Sequence, residues 1–456
     1  MTNYKDIKNK KITIIGLGSS GLESAKLSNY MGAKVFASDS SKNLSVSENA
    51  FYLMETEHIP VETGKHSNRI YDADLWVVSP GVAKTSSIIK LAQKRGIPIY
   101  SELEFASWFT KAPIIAITGS NGKTTTCYLT LAFCKSQYKN SVVAGNVGIP
   151  FSKYVLEEQK IKITDRIYIL EVSSFQLEFI KYFNPKISIY TNISSDHLDR
   201  HGTMKEYISM KMKMVKNSSE EDVILYNSGD KTLKDIFYKS KIHATPYNAS
   251  DKENLFFIEG EYLYKKDKKL MNINEIQIKG EHNYSNLISA ATCSSLLNIP
   301  NSKIKKVIKN FKGIEHRQEI VLIKKNVTYV NDSKSTNIDS VIAAVKTFKE
   351  PLIILLGGQN KGSKFQQLLP HIKKSTIKYF ICYGDAGELI KSALGDAVRS
   401  FQEKDLSSAV LKAQTLAIPG DTVLLSPGCA SFDEFKDYEE RGRFFKNLIV
   451  QKNKDD

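Results

Sequence analysis

The sequence predicts an α/β protein of three successive parallel-sheet domains, and three observations predict it. Strand-like apolar runs alternate with helix-like patterns along the chain, as helices crossing over a parallel sheet require. Two of those strands run straight into glycine-rich turns that open helices. Fresh strand patterns begin near residues 111 and 315, and 456 residues fit about three domains of roughly 100–200 each.

The first domain opens with KITIIGLGSSG, an apolar strand ending in glycines, then a helix over Leu22–Met31 and the strand KVFASD ending on Asp39. This is a βαβ unit. Asp74–Ser79 is a further apolar run that stops at Pro80-Gly81, and Ile97–Tyr100 is the next strand. The domain spans residues 1–110 and is Rossmann-like. A second start follows Lys111-Ala112-Pro113, where the buried strand Ile114–Thr118 enters GSNGKTTT. Strands at Ser141–Ala144, Arg166–Val172 and Lys186–Asn192 each end in polar residues, and ligands gather at the carboxyl ends of parallel strands. Ser228 to Lys279 is polar, lysine-rich and irregular, which suits small antiparallel strands at a domain edge. This central domain, residues 111–314, is of the P-loop ATPase type. The third, residues 315–456, is again Rossmann-like, with strands at Val327–Val330, Leu352–Leu356, Tyr379–Tyr383 and Thr422–Leu425 and a last helix from about Asp433 to Val450.

Composition bounds the function. Hydrophobic residues at 41% and charged residues at 25% exclude a disordered, collagenous or coiled-coil chain. The polar N-terminus MTNYKDIKNKK leads directly into a strand, so neither a signal peptide nor a membrane span is expected, and the expected location is the cytoplasm. Cys127, Cys134, Cys293, Cys382 and Cys429 are scattered without a CxxC pair, which suggests reduced thiols rather than zinc or disulfides. A net charge of +15, nearly all from lysine, suits an anionic small substrate, with nucleic acid as a competitor and a partnerless lysine-rich surface as the plainer reading.

The first glycine loop, Gly16-x-Gly18-x-x-Gly21, follows a strand and opens a helix, with Asp39 at the end of the next strand. Glycines let backbone approach a pyrophosphate, and a helix N-terminus adds free N–H donors. NAD, FAD and a UDP-sugar all carry that group, and a tight βα turn without ligand has the same pattern. Gly18, Ser19, Ser20 and Asp39, with Ser79, Pro80 and Gly81 from a neighbouring strand end, are the candidate ligand residues. The second loop, Gly119-Ser120-Asn121-Gly122-Lys123-Thr124-Thr125, has Ile117 where a standard P-loop begins with glycine. It keeps the parts that matter for ATP: amides to cradle phosphates, Lys123 to reach the β- and γ-phosphates, and Thr124 to ligate Mg²⁺.

Three further residues stand out. Glu171 ends a strand where a carboxylate can hold a metal, and a half-buried strand-end acid is the equal alternative. His197 lies in the polar cluster NISSDHLDRHG with Asp196 and Asp199. In YISMKMKMVK the apolar Tyr207, Ile208, Met214 and Val215 flank Lys211 at three and four residues, so Lys211 projects from the apolar face while Lys205, Lys213 and Lys216 do not. Snorkelling of its stem is the plain explanation.

In order along the chain, GLGSSG, GSNGKTTT, AGNVGIP, EVSSFQLE, NISSDHLDRHG, GEHNYSN, HRQE, NDSKSTN, GGQNKG and SPGCASFDEFKDYEERG resemble the Mur ligases. EVSSFQLE, NDSKSTN and SPGCASFDEF point to the members that add D-glutamate. The resemblance implies an ATP-dependent ligase of peptidoglycan precursor synthesis that joins D-glutamate to UDP-N-acetylmuramoyl-L-alanine through an acyl phosphate, with ATP as co-substrate and two Mg²⁺ ions. It implies Thr124 and Glu171 at the first Mg²⁺, His197 and a carbamylated Lys211 at the second, and Lys123, His197 and Lys211 as the catalytic set. Asn146 carries over to the UDP-substrate site. Asn283, Asn286, Arg317 and Asp332 carry over to ATP, and Lys334, Thr336, Lys361, Ser431, Phe432 and Tyr438 to D-glutamate. Two departures stand here: Gln359-Asn360 precedes Lys361 where an acid is frequent, and Tyr438 replaces a common Phe. A monomer without nucleic-acid or membrane partners is expected. The rivals are a ligase of the same type with a different amine, a nicotinamide-dependent dehydrogenase on the first loop, and a P-loop NTPase that regulates an interaction.

Overall fold

The computed structural model describes residues 6–194, 198–240, 242–278, 280–348, 350–360, 363–372 and 376–451. It forms two compact units, Met1–Phe311 and Lys312–Asp456. In the first, β1 (Lys11–Ile15), β2 (Lys34–Asp39), β3 (Val61–Thr63), β4 (Leu75–Val78) and β5 (Ile99–Ser101) make a parallel sheet in the order β3-β2-β1-β4-β5. The chain leaves β1 toward one edge and returns to its other side at β4. That reversal opens a crevice at the carboxyl ends of the two strands.

A second sheet has the order β11-β10-β9-β6-β8-β7, all parallel, from β6 (Ile114–Thr118), β7 (Val142–Gly145), β8 (Tyr168–Glu171), β9 (Ile187–Tyr190), β10 (Val223–Asn227) and β11 (Thr245–Tyr247). β6, β8 and β9 are buried along their whole length, as expected of strands covered on both faces. The irregular stretch that follows contains the helix Lys231–Lys239 and a small antiparallel sheet of β12 (Phe256–Glu259), β13 (Tyr262–Lys265) and β14 (Lys268–Asn272). One apolar cluster runs from Ile14 and Val77 through Leu103, Phe105 and Trp108 to Ala116, Phe151 and Tyr190, so the first two sheets share a core. Trp108 and Phe109, beside the division expected at residue 110, are buried in it.

The second unit has β15 (Glu319–Lys324), β16 (Val327–Asn331), β17 (Leu352–Gly357), β18 (Ile377–Tyr383), β19 (Ser400–Gln402) and β20 (Thr422–Gly428) in the order β15-β16-β20-β17-β18-β19. Only the β15–β16 pair is antiparallel. Apolar clusters cover both faces.

The strands β3, β10, β15 and β19 and the helix Leu44–Glu55 lie outside the sequence-based expectation, and the last helix starts later than expected. The helix Leu44–Glu55 buries Val46, Ala50 and Leu53 but exposes Leu44, Phe51, Tyr52 and Met54, so apolar residues all around it blur the helical period. The last helix begins at Tyr438 instead of Asp433, because the Asp437 carboxylate accepts the Glu440 N–H (2.7 Å) as a cap. Upstream, the Glu434 and Phe435 amides turn back onto the Ser431 carbonyl.

Candidate active site

The second glycine loop is built by close backbone approach. Gly119 has φ +153°, and a Cβ there would meet Thr191 Oγ1 at 1.9 Å; Gly122 has φ +82°, and a Cβ would meet Asn286 Oδ1 at 2.4 Å. Larger residues are excluded at both places. The β9 end holds the loop: Asn192 accepts the Ser120 N–H on its carbonyl (3.0 Å) and the Asn121 N–H on its side chain (2.9 Å), and Thr191 Oγ1 donates to the Asn121 carbonyl (2.6 Å). Gly122 caps the helix Lys123–Lys135 without a side-chain hydrogen bond, which leaves the first-turn amides to an anion.

Charge gathers around this turn. Lys123 Nζ donates to the Gly119 and Ser120 carbonyls, each at 2.8 Å. Lys211, buried as its helical position requires, donates to the same Gly119 carbonyl (2.9 Å) and lies over the Tyr207 ring. Two residues on, Lys213 donates to the Glu178 carbonyl (3.0 Å), and burial together with Lys84 lowers its pKa. Below the loop, Thr124 Oγ1 donates to Glu171 Oε2 (2.7 Å) and Asn146 Nδ2 to Glu171 Oε1 (2.9 Å). Glu171 is buried with neutral partners and no ion pair among the described residues. A desolvated carboxylate beside a hydroxyl is a hard-oxygen donor set, and those residues fit Mg²⁺. Asn146, expected at the UDP substrate, here touches Glu171. Thr125 is buried in the first turn of the helix. Asn286 sits against Gly122 and accepts from Thr126 Oγ1 (3.3 Å), while Asn283 lies in the first turn of the same helix, Glu281–Leu296. His197 and Lys361 lie outside the described residues.

The first glycine loop has the same frame and different chemistry. Gly16 has φ +89°, and a Cβ on Gly21 would stand 1.8 Å from the Gly16 carbonyl. Gly18 caps the helix Ser19–Tyr30, again without a side-chain hydrogen bond. Ser19 is exposed and Ser20 half-buried. Asp39 accepts the Leu17 N–H on one carboxylate oxygen (2.6 Å) and the Ser41 N–H on the other (2.8 Å), so it ties β2 to the loop. Ser79 Oγ donates to the Gly16 carbonyl (2.9 Å), and the Pro80-Gly81 turn lies at the rim.

A connection that sequence reasoning missed ties the rim of the first loop to the segment that follows β8. Arg200 donates to both Glu178 oxygens (3.1 and 2.9 Å), to the Pro80 carbonyl (2.9 Å), and stacks on Phe175. Next to it, His201 is buried with Nε2 2.9 Å from Ser174 Oγ and its ring stacked on Phe175. Both residues stand in NISSDHLDRHG, and nothing in that string ranks His201 or Arg200 against His197.

In the second unit, His316 and Gln318 adopt positive φ, and the turn they make wraps Asp332. Asp332 faces inward: Oδ1 accepts the Gln318 N–H (3.1 Å) and Oδ2 the Ser335 and Ser426 hydroxyls (2.5 and 3.0 Å). Burial raises its pKa to about 6. Arg317 is half-buried beside it. Lys334 lies over the Tyr438 ring, Thr336 N–H donates to the Lys334 carbonyl (3.0 Å), Ser431 is buried and Phe432 exposed. Gln359 exchanges backbone hydrogen bonds with Ala430, and Asn360 Oδ1 accepts the Ser363 N–H (2.8 Å), so these two residues shape the loop. Arg441, also missed, is fully buried and has no carboxylate partner among the described residues. It donates to Ser333 Oγ and the carbonyls of Ser333, Cys429 and Ala430, which joins NDSKSTN to SPGCAS.

Three family profiles match in chain order: "Mur ligase MurD-like, N-terminal domain" over residues 10–101, "Mur ligase middle domain" over 117–294, and "Mur ligase, glutamate ligase domain" over 316–429. Proteins named UDP-N-acetylmuramoylalanine--D-glutamate ligase are similar over nearly the full length. That of Christiangramia forsetii is 39% identical over 96% of this chain and 99% of its own, and that of Salinibacter ruber 35% identical over 97% and 98%. Among solved structures, UDP-N-acetylmuramate-alanine ligase MurC from Thermotoga maritima has TM-score 0.57 at 18% identity, covering 98% of this chain and all of that one. E. coli FolC in complex with DHPP and ADP has TM-score 0.55 at 13% identity, covering 76% and 91%. These two share the fold.

Proposed function

The chain belongs to the Mur ligase family, and from that premise we propose that it couples ATP cleavage to amide formation between UDP-N-acetylmuramoyl-L-alanine and D-glutamate, in peptidoglycan precursor synthesis. A substrate carboxylate oxygen attacks the γ-phosphorus of ATP and ADP leaves. The D-glutamate amine, as the free base, then attacks the acyl carbon and expels inorganic phosphate. The first step brings two anions together, so its barrier falls where positive charge and preorganised donors surround the transferred group. Lys123 and the amides of residues 119–125 supply that at the second loop. The observation that carries the reading is Glu171, a buried carboxylate held against Thr124 beneath that loop.

Mg²⁺, when bound, neutralises phosphate charge; Thr124 and Glu171 are the residues to hold a first ion. We assign a second to His197 and to Lys211 as a carbamate, since an ammonium cannot ligate a cation. The burial of Lys211 beside the second loop, with its nitrogen at the Gly119 carbonyl, supports this. In this reading residues 1–110 bind the UDP substrate through Gly18, Ser19, Ser20, Asp39 and Ser79 to Gly81, with Asn146 reaching from the second sheet. Residues 111–314 bind ATP, with Asn283 and Asn286 on its adenine side. Residues 315–456 bind D-glutamate through Lys334, Thr336, Lys361, Ser431, Phe432 and Tyr438, and add Arg317 and Asp332 toward ATP. Asp332 is buried and already saturated, so we give it the task of holding the Gln318 turn beside Arg317. No helix among the described residues is long and apolar enough to cross a membrane; we place the enzyme in the cytoplasm as a monomer.

Phosphate release from ATP, measured with UDP-N-acetylmuramoyl-L-alanine and in turn D-glutamate, L-lysine, meso-diaminopimelate and L-alanine, tests the proposal. Turnover with D-glutamate alone is expected. Turnover with another amine, or without the UDP substrate, would overturn it.

A further inference from the structure

Reading the first loop as a uridine-diphosphate site puts its nucleoside end near Asp39, each of whose oxygens already takes one backbone amide. Beside Asp39 stands a chain of three side chains. Ser38, buried on β2, has Oγ 2.8 Å from Glu62 Oε1 and 2.7 Å from His66 Nδ1. His66 follows the carboxyl end of β3, and the turn that carries it is tied to β2 by the Gly64 N–H, which donates to the Asp39 carbonyl (2.9 Å). Ligands of parallel sheets bind beyond such strand ends.

Proton bookkeeping fixes the roles. Ser38 has one proton for two partners. Burial works to raise the Glu62 pKa, but hydrogen bonds from Ser67 and Ser38, with His66 nearby, hold it below the ordinary range. Glu62 is therefore a carboxylate that can only accept, and the Ser38 hydroxyl donates to it. The Ser38 lone pair is left to accept Nδ1–H from His66. Burial, opposed by Asp39 and Glu62, lowers the His66 pKa, so the ring is neutral at pH 7 and its Nε2 carries a lone pair. His66 is half-buried, and Nε2 has no hydrogen-bond partner among the described residues.

We propose that His66 Nε2 is a specificity-determining acceptor for an N–H or O–H donor at the nucleoside end of the UDP substrate, the uracil imide N3–H or a ribose hydroxyl. This rests on the uridine-diphosphate reading of the first loop. An imide donor would select uridine over cytidine, whose N3 is itself an acceptor. The charged groups around the ring are Asp39 and Glu62, with the Lys42 stem crossing Gly64 and Lys65 next in sequence.

The test measures competitive inhibition by UDP, N3-methyl-UDP and 2′-deoxy-UDP with the wild type, His66→Asn and His66→Gln. Asparagine can still donate to Ser38 but presents nothing at the Nε2 position, and UDP should weaken about tenfold. Glutamine places an amide oxygen there and should return to within about threefold of wild type. One analogue should bind the wild type about tenfold worse than UDP and His66→Asn no worse than UDP, which names the imide or the ribose as donor. As pH falls and the ring protonates, UDP should weaken more against the wild type than against His66→Asn, because titration of the UDP terminal phosphate at about pH 6 is common to both. Equal UDP inhibition of wild type and His66→Asn, or both analogues matching UDP on the wild type, overturns the inference while the UDP site stands. No inhibition of the wild type by UDP removes that site and the inference with it.

Discussion

The two glycine loops of the first unit share a frame and differ in what surrounds it. Each follows a buried parallel strand, turns on glycines that leave no room for a Cβ, and opens a helix whose first amides have no side-chain cap. At the first loop a carboxylate, Asp39, accepts two backbone amides. At the second, two lysines converge on the Gly119 carbonyl and a buried carboxylate faces a threonine hydroxyl. The frame can hold a diphosphate in both places. Only the second sets the Lys123 ammonium and the hard oxygens of Thr124 and Glu171 beside it, the groups that phosphoryl transfer demands.

The largest effect expected from that contrast is at Lys123. Lys123→Ala should lower kcat about a thousandfold, several kcal/mol of barrier, while calorimetric affinity for UDP-N-acetylmuramoyl-L-alanine stays within about twofold. Comparable loss of both would mean that the loops are not separate in function. Lys211→Ala should be nearly as inactive, yet a short carboxylate such as acetate should restore part of the rate to it and none to Lys123→Ala, because in the proposed assignment Lys211 acts as an anion and Lys123 as a cation. Normal turnover of Lys211→Ala would end the carbamate assignment.

Asp332 sharpens the contrast from outside both loops. Its pKa rises from 3.8 unfolded to about 6 folded, so the protonated acid is favoured on folding. The stabilisation is full below about pH 4 and is lost as pH rises through about 6, amounting to roughly 3 kcal/mol. Chemical unfolding of wild type against Asp332→Asn between pH 4 and 7 should reveal that loss in the wild type only. A pH-independent difference would contradict it. The smallest effect is expected at the first loop: Asp39→Asn keeps one acceptor oxygen and should weaken UDP-substrate binding about three- to tenfold with kcat little changed. A collapse of kcat instead would place Asp39 in the chemistry.

Both loops were legible because glycine spacing after an apolar strand is written in the sequence itself, and the burial of Lys211 followed from its flanking apolar residues. Other features were hidden for physical reasons. Arg441 stands among Glu439, Glu440 and Arg443 in a string that looks like a solvated helix face, and only the fold shows that it is buried against carbonyls. Asp332 turns inward because the hydroxyls of Ser335 and Ser426, the latter 94 residues away, meet at it. Arg200 reaches Pro80 across 120 residues. Contacts of such separation leave no local pattern to read.

The central claim is that a carboxylate carried by the substrate of the first loop attacks phosphorus at the second. UDP-N-acetylmuramoyl-L-alanine labelled with ¹⁸O in its alanyl carboxylate, turned over with unlabelled ATP and D-glutamate, tests it most directly. Attack through an acyl phosphate transfers one labelled oxygen to each released phosphate. Amide product formed with released phosphate free of label, the displaced carboxylate oxygen leaving in water or on the nucleotide instead, would contradict the account.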